Sequence, residues 1–186
     1  MSGIRSVTVY CGSSNTVDPA YLDLARDLGK TIARRGWRLV YGGGNVGLMG
    51  QTALAAHKAG GDVLGVMPSF LKSVEGVLED VEHQIVETMH ERKQILFDEA
   101  DAFVVLPGGI GTLEEAVETL SWAKLSLHRK PMAFLATNGY WRPFFDLIDH
   151  VIKDGFAPES FRDLIAETSS PQEALAALDQ RFVALD

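Results

Sequence analysis

Cysteine is almost missing: Cys11 stands alone among 186 residues. No disulfide can therefore form within the chain, and a reducing compartment suits it. Positive charge is also short. The 17 lysines and arginines against 25 aspartates and glutamates give a formal net charge of −8, which speaks against a broad nucleic-acid or anionic-membrane surface. No apolar run approaches the ~20 residues that cross a bilayer, and the N-terminus lacks the apolar stretch of a signal peptide. The expectation is a cytoplasmic protein with neither nucleic acid nor membrane as partner. His57, His83, His90, His128 and His150 share no metal-ligand spacing. No G-x-S-x-G elbow occurs, and Cys11 has no obvious base. Neither metal, cofactor nor covalent intermediate is expected. Repeats and low-complexity segments are absent too. What remains, 46% hydrophobic and 23% charged, is an ordinary globular composition, and the length suits one domain over 1–186.

Short apolar or β-rich runs alternate with helical patterns along the chain. Strands are predicted at Ser6–Tyr10, Arg38–Tyr41, Asp62–Met67, Gln84–Glu87, Ala102–Leu106 and Pro131–Ala136. Asp18 and Pro19 read as N-cap and first residue of a helix that Gly36 stops. A small-residue helix should run from about Gln51 to Ala59. Thr88-Met-His-Glu91 fits a capping box, so a helix should begin near Met89 and reach about Ala100. Further helices are expected after Gly111, over Tyr140–Lys153, briefly near Glu159–Leu164, and from Pro171 to about Phe182. Ser69–Glu82 reads as a loop or lid. Strands alternating with helices imply a doubly wound, Rossmann-like α/β domain, a parallel sheet with helices on both faces. In such folds ligands bind beyond the carboxyl ends of the strands.

Three glycine- or serine-rich turns occupy predicted strand ends: Gly12–Asn15, Gly42–Gly47 and Gly108–Gly111. The second satisfies G-x-G-x-x-G, but it follows the second strand, and Val63–Met67 ends without the acidic residue a dinucleotide ribose needs. A mononucleotide or sugar phosphate fits better. The third lies between the buried-strand run Ala102–Leu106 and an amphipathic helix, an arrangement that offers free backbone N–H groups to an anion. Thr112, Glu114 and Glu115 stand at that helix mouth. Carboxylates beside an anion site conflict with binding alone, which hints at chemistry. The bland alternative is a Thr112-x-x-Glu115 capping box. Arg92, beside the apolar stripe of Met89, Ile95 and Leu96 near a helix start, needs an anion to justify it. A salt bridge to a neighbouring carboxylate and a contact to substrate both satisfy that need. Lys93 reads as a second phosphate or ribose contact or as a surface lysine. Ser13 and Ser14 are better placed to bind an anion than to act as nucleophiles.

Taken together these motifs resemble the LOG ("lonely guy") family, the cytokinin riboside 5′-monophosphate phosphoribohydrolases. Pro107-Gly-Gly-Ile-Gly-Thr-Leu-Glu-Glu115 matches the family's P-G-G-x-G-T-x-x-E signature. Cys11–Ser14, Tyr41–Gly44, Gly47–Gly50, Met89–Lys93, Trp122, His128, Lys130–Pro131, Asn138–Tyr140 and Gly155–Phe156 are similar to family elements in the same order. The pattern departs from the family at His83–Gln84 and at Lys124–Ser126. The resemblance implies hydrolysis of the N-glycosidic bond of an adenosine-type 5′-monophosphate, N6-substituted ones included, to free base and ribose 5-phosphate, with Arg92 and Glu115 as the catalytic pair. A nucleosidase of AMP or other purine nucleotides in general metabolism and a nucleotide-binding module without turnover are the alternatives. It implies a phosphate seated on Gly108, Gly109, Gly111 and Thr112, with Ser14, Gly43, Met89 and Lys93 as further substrate contacts. It also implies a homodimer whose sites are completed across the interface. Family members are often labelled lysine decarboxylases. That chemistry normally uses pyridoxal phosphate on a lysine, and Lys93, Lys124 and Lys130 all have simpler roles.

Overall fold

The computed structural model describes residues 3–184. Seven strands form one parallel sheet: β1 (Ser6–Tyr10), β2 (Arg38–Tyr41), β3 (Val63–Pro68), β4 (Glu82–Val86), β5 (Ala102–Val105), β6 (Met132–Leu135) and β7 (Ile165–Thr168). Seven helices connect and follow them: α1 (Pro19–Arg34), α2 (Gly47–Lys58), α3 (Lys72–Glu75), α4 (Met89–Asp98), α5 (Ile110–Lys124), α6 (Arg142–Lys153) and α7 (Pro171–Val183). The strand order is β4-β3-β2-β1-β5-β6-β7. The chain therefore winds outward from β1 in one direction, then returns to β5 and winds outward in the other. That reversal leaves a crevice between the carboxyl ends of β1 and β5, the place where doubly wound sheets bind ligands.

Strand alternation divides the core in two. Val7, Val9, Leu39, Tyr41 and Val104 pack on one face against Leu24, Leu28 and Ile32 of α1, Ala53 of α2 and Leu175 and Leu178 of α7. Tyr10, Val40, Phe103, Val105 and Phe134 pack on the other against Leu96 of α4, Ala116 and Leu120 of α5, and Phe144 and Phe145 of α6. Because both faces are covered, β5 and β6 are apolar throughout, while the polar Thr8 in the middle of β1 is buried with its hydroxyl donating to Leu96 O at 2.7 Å. Helices α1 and α2 approach closely: a Cβ on Gly29 would lie 2.2 Å from the Thr52 carbonyl oxygen. No helix among the described residues is long and apolar enough to cross a membrane.

The doubly wound α/β class, the Asp18–Pro19 helix start and the Thr88–Glu91 capping box are as expected from the sequence. Strand β4 and helix α6 each begin two residues away from their expected starts, which leaves Tyr140 in the turn before α6, and four larger details differ. Ile165–Thr168, to which no strand is assigned from sequence, pairs with β6 as an edge strand. The Ser69–Glu82 segment contains a single 3-10 turn (Ser69–Leu71) and the one-turn helix α3. Helix α2 begins at Gly47 rather than near Gln51. Helix α5 begins at Ile110 with Gly109 as its N-cap, so Thr112 lies inside the first turn, and the Thr112–Glu115 capping box does not form.

Candidate active site

The three glycine- and serine-rich turns are tied to one another at the carboxyl edge of the sheet. Gly12 N–H donates to Pro107 O at 3.0 Å, Leu48 N–H to Gly12 O at 3.0 Å, and Gly47 N–H to Asn15 Oδ1 at 2.8 Å. The crowding demands glycine at two points. A Cβ on Gly108 would sit 2.1 Å from Thr112 Oγ1 and 2.8 Å from Gly12 N, and one on Gly47 would sit 2.4 Å from Ser13 C. Between the turns lies a cavity of about 310 Å³, lined by Tyr10–Ser13, Gly42, Met49, Glu75, Arg92, Gly109–Thr112 and Glu115. A hollow of about 360 Å³ opens at the opposite edge, beside His128–Met132 and Arg181. It is larger, but it has neither the glycine turns nor a helix start, so the crevice at the strand-order reversal is the better candidate.

One wall of the cavity is the start of α5. Leu113 N–H makes the first intrahelical bond, to Gly109 O at 3.0 Å. The preceding amides of Ile110, Gly111 and Thr112 are thus left open at the positive end of the helix dipole. Gly109 and Gly111 would meet no atom within 4 Å if they carried a Cβ, so the approach to those amides is clear. Such a mouth takes a phosphate readily.

The opposite wall is Arg92. The capping box turns α4 so that Arg92 points inward, and it is only 7% exposed. Its Nε donates to Val66 O at 3.2 Å and its Nη2 to Gly42 O at 3.1 Å, which fixes the plane of the guanidinium. Nη1 remains, facing Glu115 Oε1 at 3.7 Å, close enough for an ion pair but longer than a hydrogen bond. The Glu115 side chain is 12% exposed. Burial pushes its carboxyl up to about 7, against the pull of Arg92 and with a further push from Glu114. A carboxyl held near neutrality can take or give a proton at physiological pH. The cap alternative for Glu115 is replaced by an inward-facing, loosely paired carboxylate.

Glu75 of α3 is a third charged group on this cavity, and its Oε2 is buried without a hydrogen-bond partner among the described residues. Sequence reasoning missed it inside the irregular Ser69–Glu82 segment. The available signal was the position of that segment directly after β3, on the same sheet edge as the glycine turns. Cys11 also lines the cavity. Burial, with Glu115 nearby, pushes its thiol well above the usual range, so it stays protonated and unreactive.

The remaining expected contacts fall in different places. Gly109, Gly111, Thr112, Arg92 and Glu115 share the cavity wall. Ser13 lines it, whereas the Ser14 hydroxyl is engaged in a local turn with Thr16. Gly42 lines it, whereas Gly43 turns behind the wall with φ +84° and presents its carbonyl to His83 Nε2 at 3.3 Å. Lys93 Nζ is held by Glu114 at 2.6 Å and Glu118 at 3.0 Å. Met89 is the half-exposed first residue of α4. Gly108 offers its carbonyl to the Tyr140 hydroxyl at 2.7 Å.

A protein-family model described as possible lysine decarboxylase matches residues 49–178. The chain is 42% identical over 180 residues to the cytokinin riboside 5′-monophosphate phosphoribohydrolase LOG of Oryza sativa subsp. japonica, covering 96% of this chain and 74% of that protein. It is 40% identical to a cytokinin riboside 5′-monophosphate phosphoribohydrolase of Arabidopsis thaliana, covering 96% and 83%. The chain belongs to the LOG family. Among solved structures, the molybdenum cofactor carrier protein of Chlamydomonas reinhardtii superimposes with a TM-score of 0.73 at 24% identity, over 96% of this chain and 98% of that one. The molybdenum cofactor binding protein of Rippkaea orientalis gives 0.71 at 25% identity, over 92% and 93%. These structures share the fold of this LOG-family chain. The Pro107–Glu115 signature of the LOG family is thus the turn, helix start and carboxylate that build one side of the cavity.

Proposed function

We propose that the protein hydrolyses the N-glycosidic bond of adenosine-type 5′-monophosphates, N6-substituted ones included, to free base and ribose 5-phosphate, with residues 1–186 acting as one nucleotide-binding domain. The observation that carries this reading is the buried Arg92–Glu115 pair facing an open helix start within one cavity. The 5′-phosphate sits on the amides of the Gly109–Thr112 turn. That placement brings the ribose between the turn and the Arg92–Glu115 wall. Cleavage passes through an oxocarbenium-like state, which the ionised Glu115 stabilises while orienting the attacking water. Glu75, with its unpartnered carboxylate oxygen, accepts from ribose hydroxyls. As the new C1′–O bond forms, the attacking water passes a proton to Glu115, while the departing purine gathers negative charge that Arg92 meets and takes a proton from solvent to become the free base. A guanidinium scarcely releases a proton, so Arg92 acts by charge and position.

A molybdenum-cofactor carrier with this fold offers a second reading, a binder without turnover. The Arg92–Glu115 pair opposes it, because a carboxylate beside a phosphate site weakens pure binding. Lysine decarboxylation fits less well still. That chemistry anchors pyridoxal phosphate on a lysine, and among the described residues no lysine lines the cavity, while Lys93 is held by two carboxylates. The residues present do not fit that cofactor. We also infer a homodimer and a cytoplasmic location. Ile110, Val117 and Met89 leave apolar surface exposed on α4 and α5, the two helices that build the cavity, and a second copy is the natural cover. Sedimentation at micromolar concentration tests that assembly.

The catalytic assignment is tested with Glu115→Ala. Base release should be lost while AMP binding by calorimetry is largely kept. Normal turnover in the variant would refute the role given to Glu115.

A further inference from the structure

We propose that Tyr140 is a positioning residue: its hydroxyl locks the Gly108–Gly109 peptide so that the Gly109 amide faces the phosphate site. The inference rests on the phosphate seat described above and adds a residue outside that cavity to it.

Tyr140 is brought there by an unusual turn. Between β6 and α6, Asn138 (φ +58°) and Gly139 (φ +67°) are consecutive left-handed residues, a conformation that Asn and Gly tolerate best. They throw Tyr140 sideways along the sheet edge towards the β5–α5 turn. Its ring is held edge-on by Tyr21 of α1 at 5.5 Å and by Trp141 at 5.0 Å. From there the hydroxyl donates to Gly108 O at 2.7 Å.

The consequence follows from peptide geometry. Every described peptide bond is trans, so the Gly108 carbonyl and the Gly109 N–H point in opposite directions across one plane. Gly109 lines the cavity, while Gly108 and Tyr140 do not. With the carbonyl drawn towards Tyr140, the amide is turned the other way. Rotating this plane by half a turn would present a carbonyl oxygen to the phosphate instead. Neither flanking residue has a side chain to oppose that rotation. Among the described residues, the Tyr140 hydroxyl is the side-chain group that holds the Gly108 carbonyl. A diglycine peptide gives phosphate close access, and Tyr140 supplies the order that glycine lacks.

Tyr140→Phe keeps the ring and removes the hydroxyl. KM for AMP should rise about five- to tenfold, the worth of one hydrogen bond, with kcat nearly unchanged. The inhibition constants of ribose 5-phosphate and inorganic phosphate should rise by the same factor. A purely structural role would instead lower kcat and the melting temperature and leave those constants unmoved, and that result overturns the proposal. Unchanged kinetics and inhibition would overturn it equally. Should the wild-type protein release no base from AMP, the functional reading fails on its own. Calorimetric titration with ribose 5-phosphate still decides the role of Tyr140, because it needs no turnover. Equal affinity in the wild type and Tyr140→Phe would then refute it.

Discussion

Replacing Glu115 by glutamine should make the protein more stable, and more so as the pH rises. An ordinary glutamate titrates at 4.5 in the unfolded chain, and in the fold burial pushes Glu115 up to about 7. The raised value means that the folded state resists ionisation of this group. Below the unfolded value the carboxyl is neutral in both states and imposes no penalty. Between 4.5 and about 7 the unfolded chain ionises while the fold does not, and the penalty grows. Above about 7 it is complete. Linkage sets it at about 1 kcal/mol at pH 5, about 2 kcal/mol at pH 6 and about 3 kcal/mol at pH 8. Glutamine has the shape of the neutral acid and never ionises. Arg92 keeps its bonds to Val66 O and Gly42 O. The variant should therefore gain roughly 5–10 °C in melting temperature at pH 8 for a chain of this size, and far less at pH 5. Urea melts at the two pH values measure the difference directly. A variant that is less stable than the wild type at pH 8, or that gains equally at both pH values, would show that Glu115 is a contented partner of Arg92 and not a strained catalytic group.

Three further outcomes follow from the same geometry. The profile of kcat/KM against pH should rise through an apparent pKa near the value of about 7 held by Glu115, because the proposed mechanism uses the ionised carboxylate, and that limb should be missing from any residual activity of Glu115→Gln. Arg92→Lys should lower kcat/KM at least a hundredfold in a base-release assay, since a lysine cannot bond Val66 O and Gly42 O and still face Glu115. Gly29→Ala should cost about 1–3 kcal/mol in urea melts, because its Cβ would strike the Thr52 carbonyl, while KM for AMP stays unchanged.

The strands buried on both faces were easy to read from sequence because an apolar run such as Ala102–Leu106 is short, β-rich and stopped at once by Pro107-Gly-Gly. Edge strands were not. Ile165-Ala-Glu-Thr168 is four residues long and owes its strand to β6 on one side and to α7 above it, neither of which its own residues announce. Glu82–Val86 is mostly polar, so only its last residues looked extended. At the site, Arg92 and Glu115 were visible because each conflicted with its local setting. The capping alternative could not be dismissed without knowing that glycine at 109 would let α5 start early. Glu75, and the contact that Tyr140 makes, were hidden for another reason. They enter through long-range packing, one folded back over Gly44 with its backbone carbonyl accepting from Asn45 N–H at 3.0 Å, the other reaching across from the β6–α6 turn to Gly108.

The central claim is the reaction itself. Purified protein should be incubated with AMP and with N6-isopentenyladenosine 5′-monophosphate, the matching nucleosides serving as controls, and the products separated by chromatography. Free base and ribose 5-phosphate from the monophosphates, with little or none from the nucleosides, is the predicted result. Tight binding of both nucleotides with no base released would contradict the account and leave a nucleotide-binding protein.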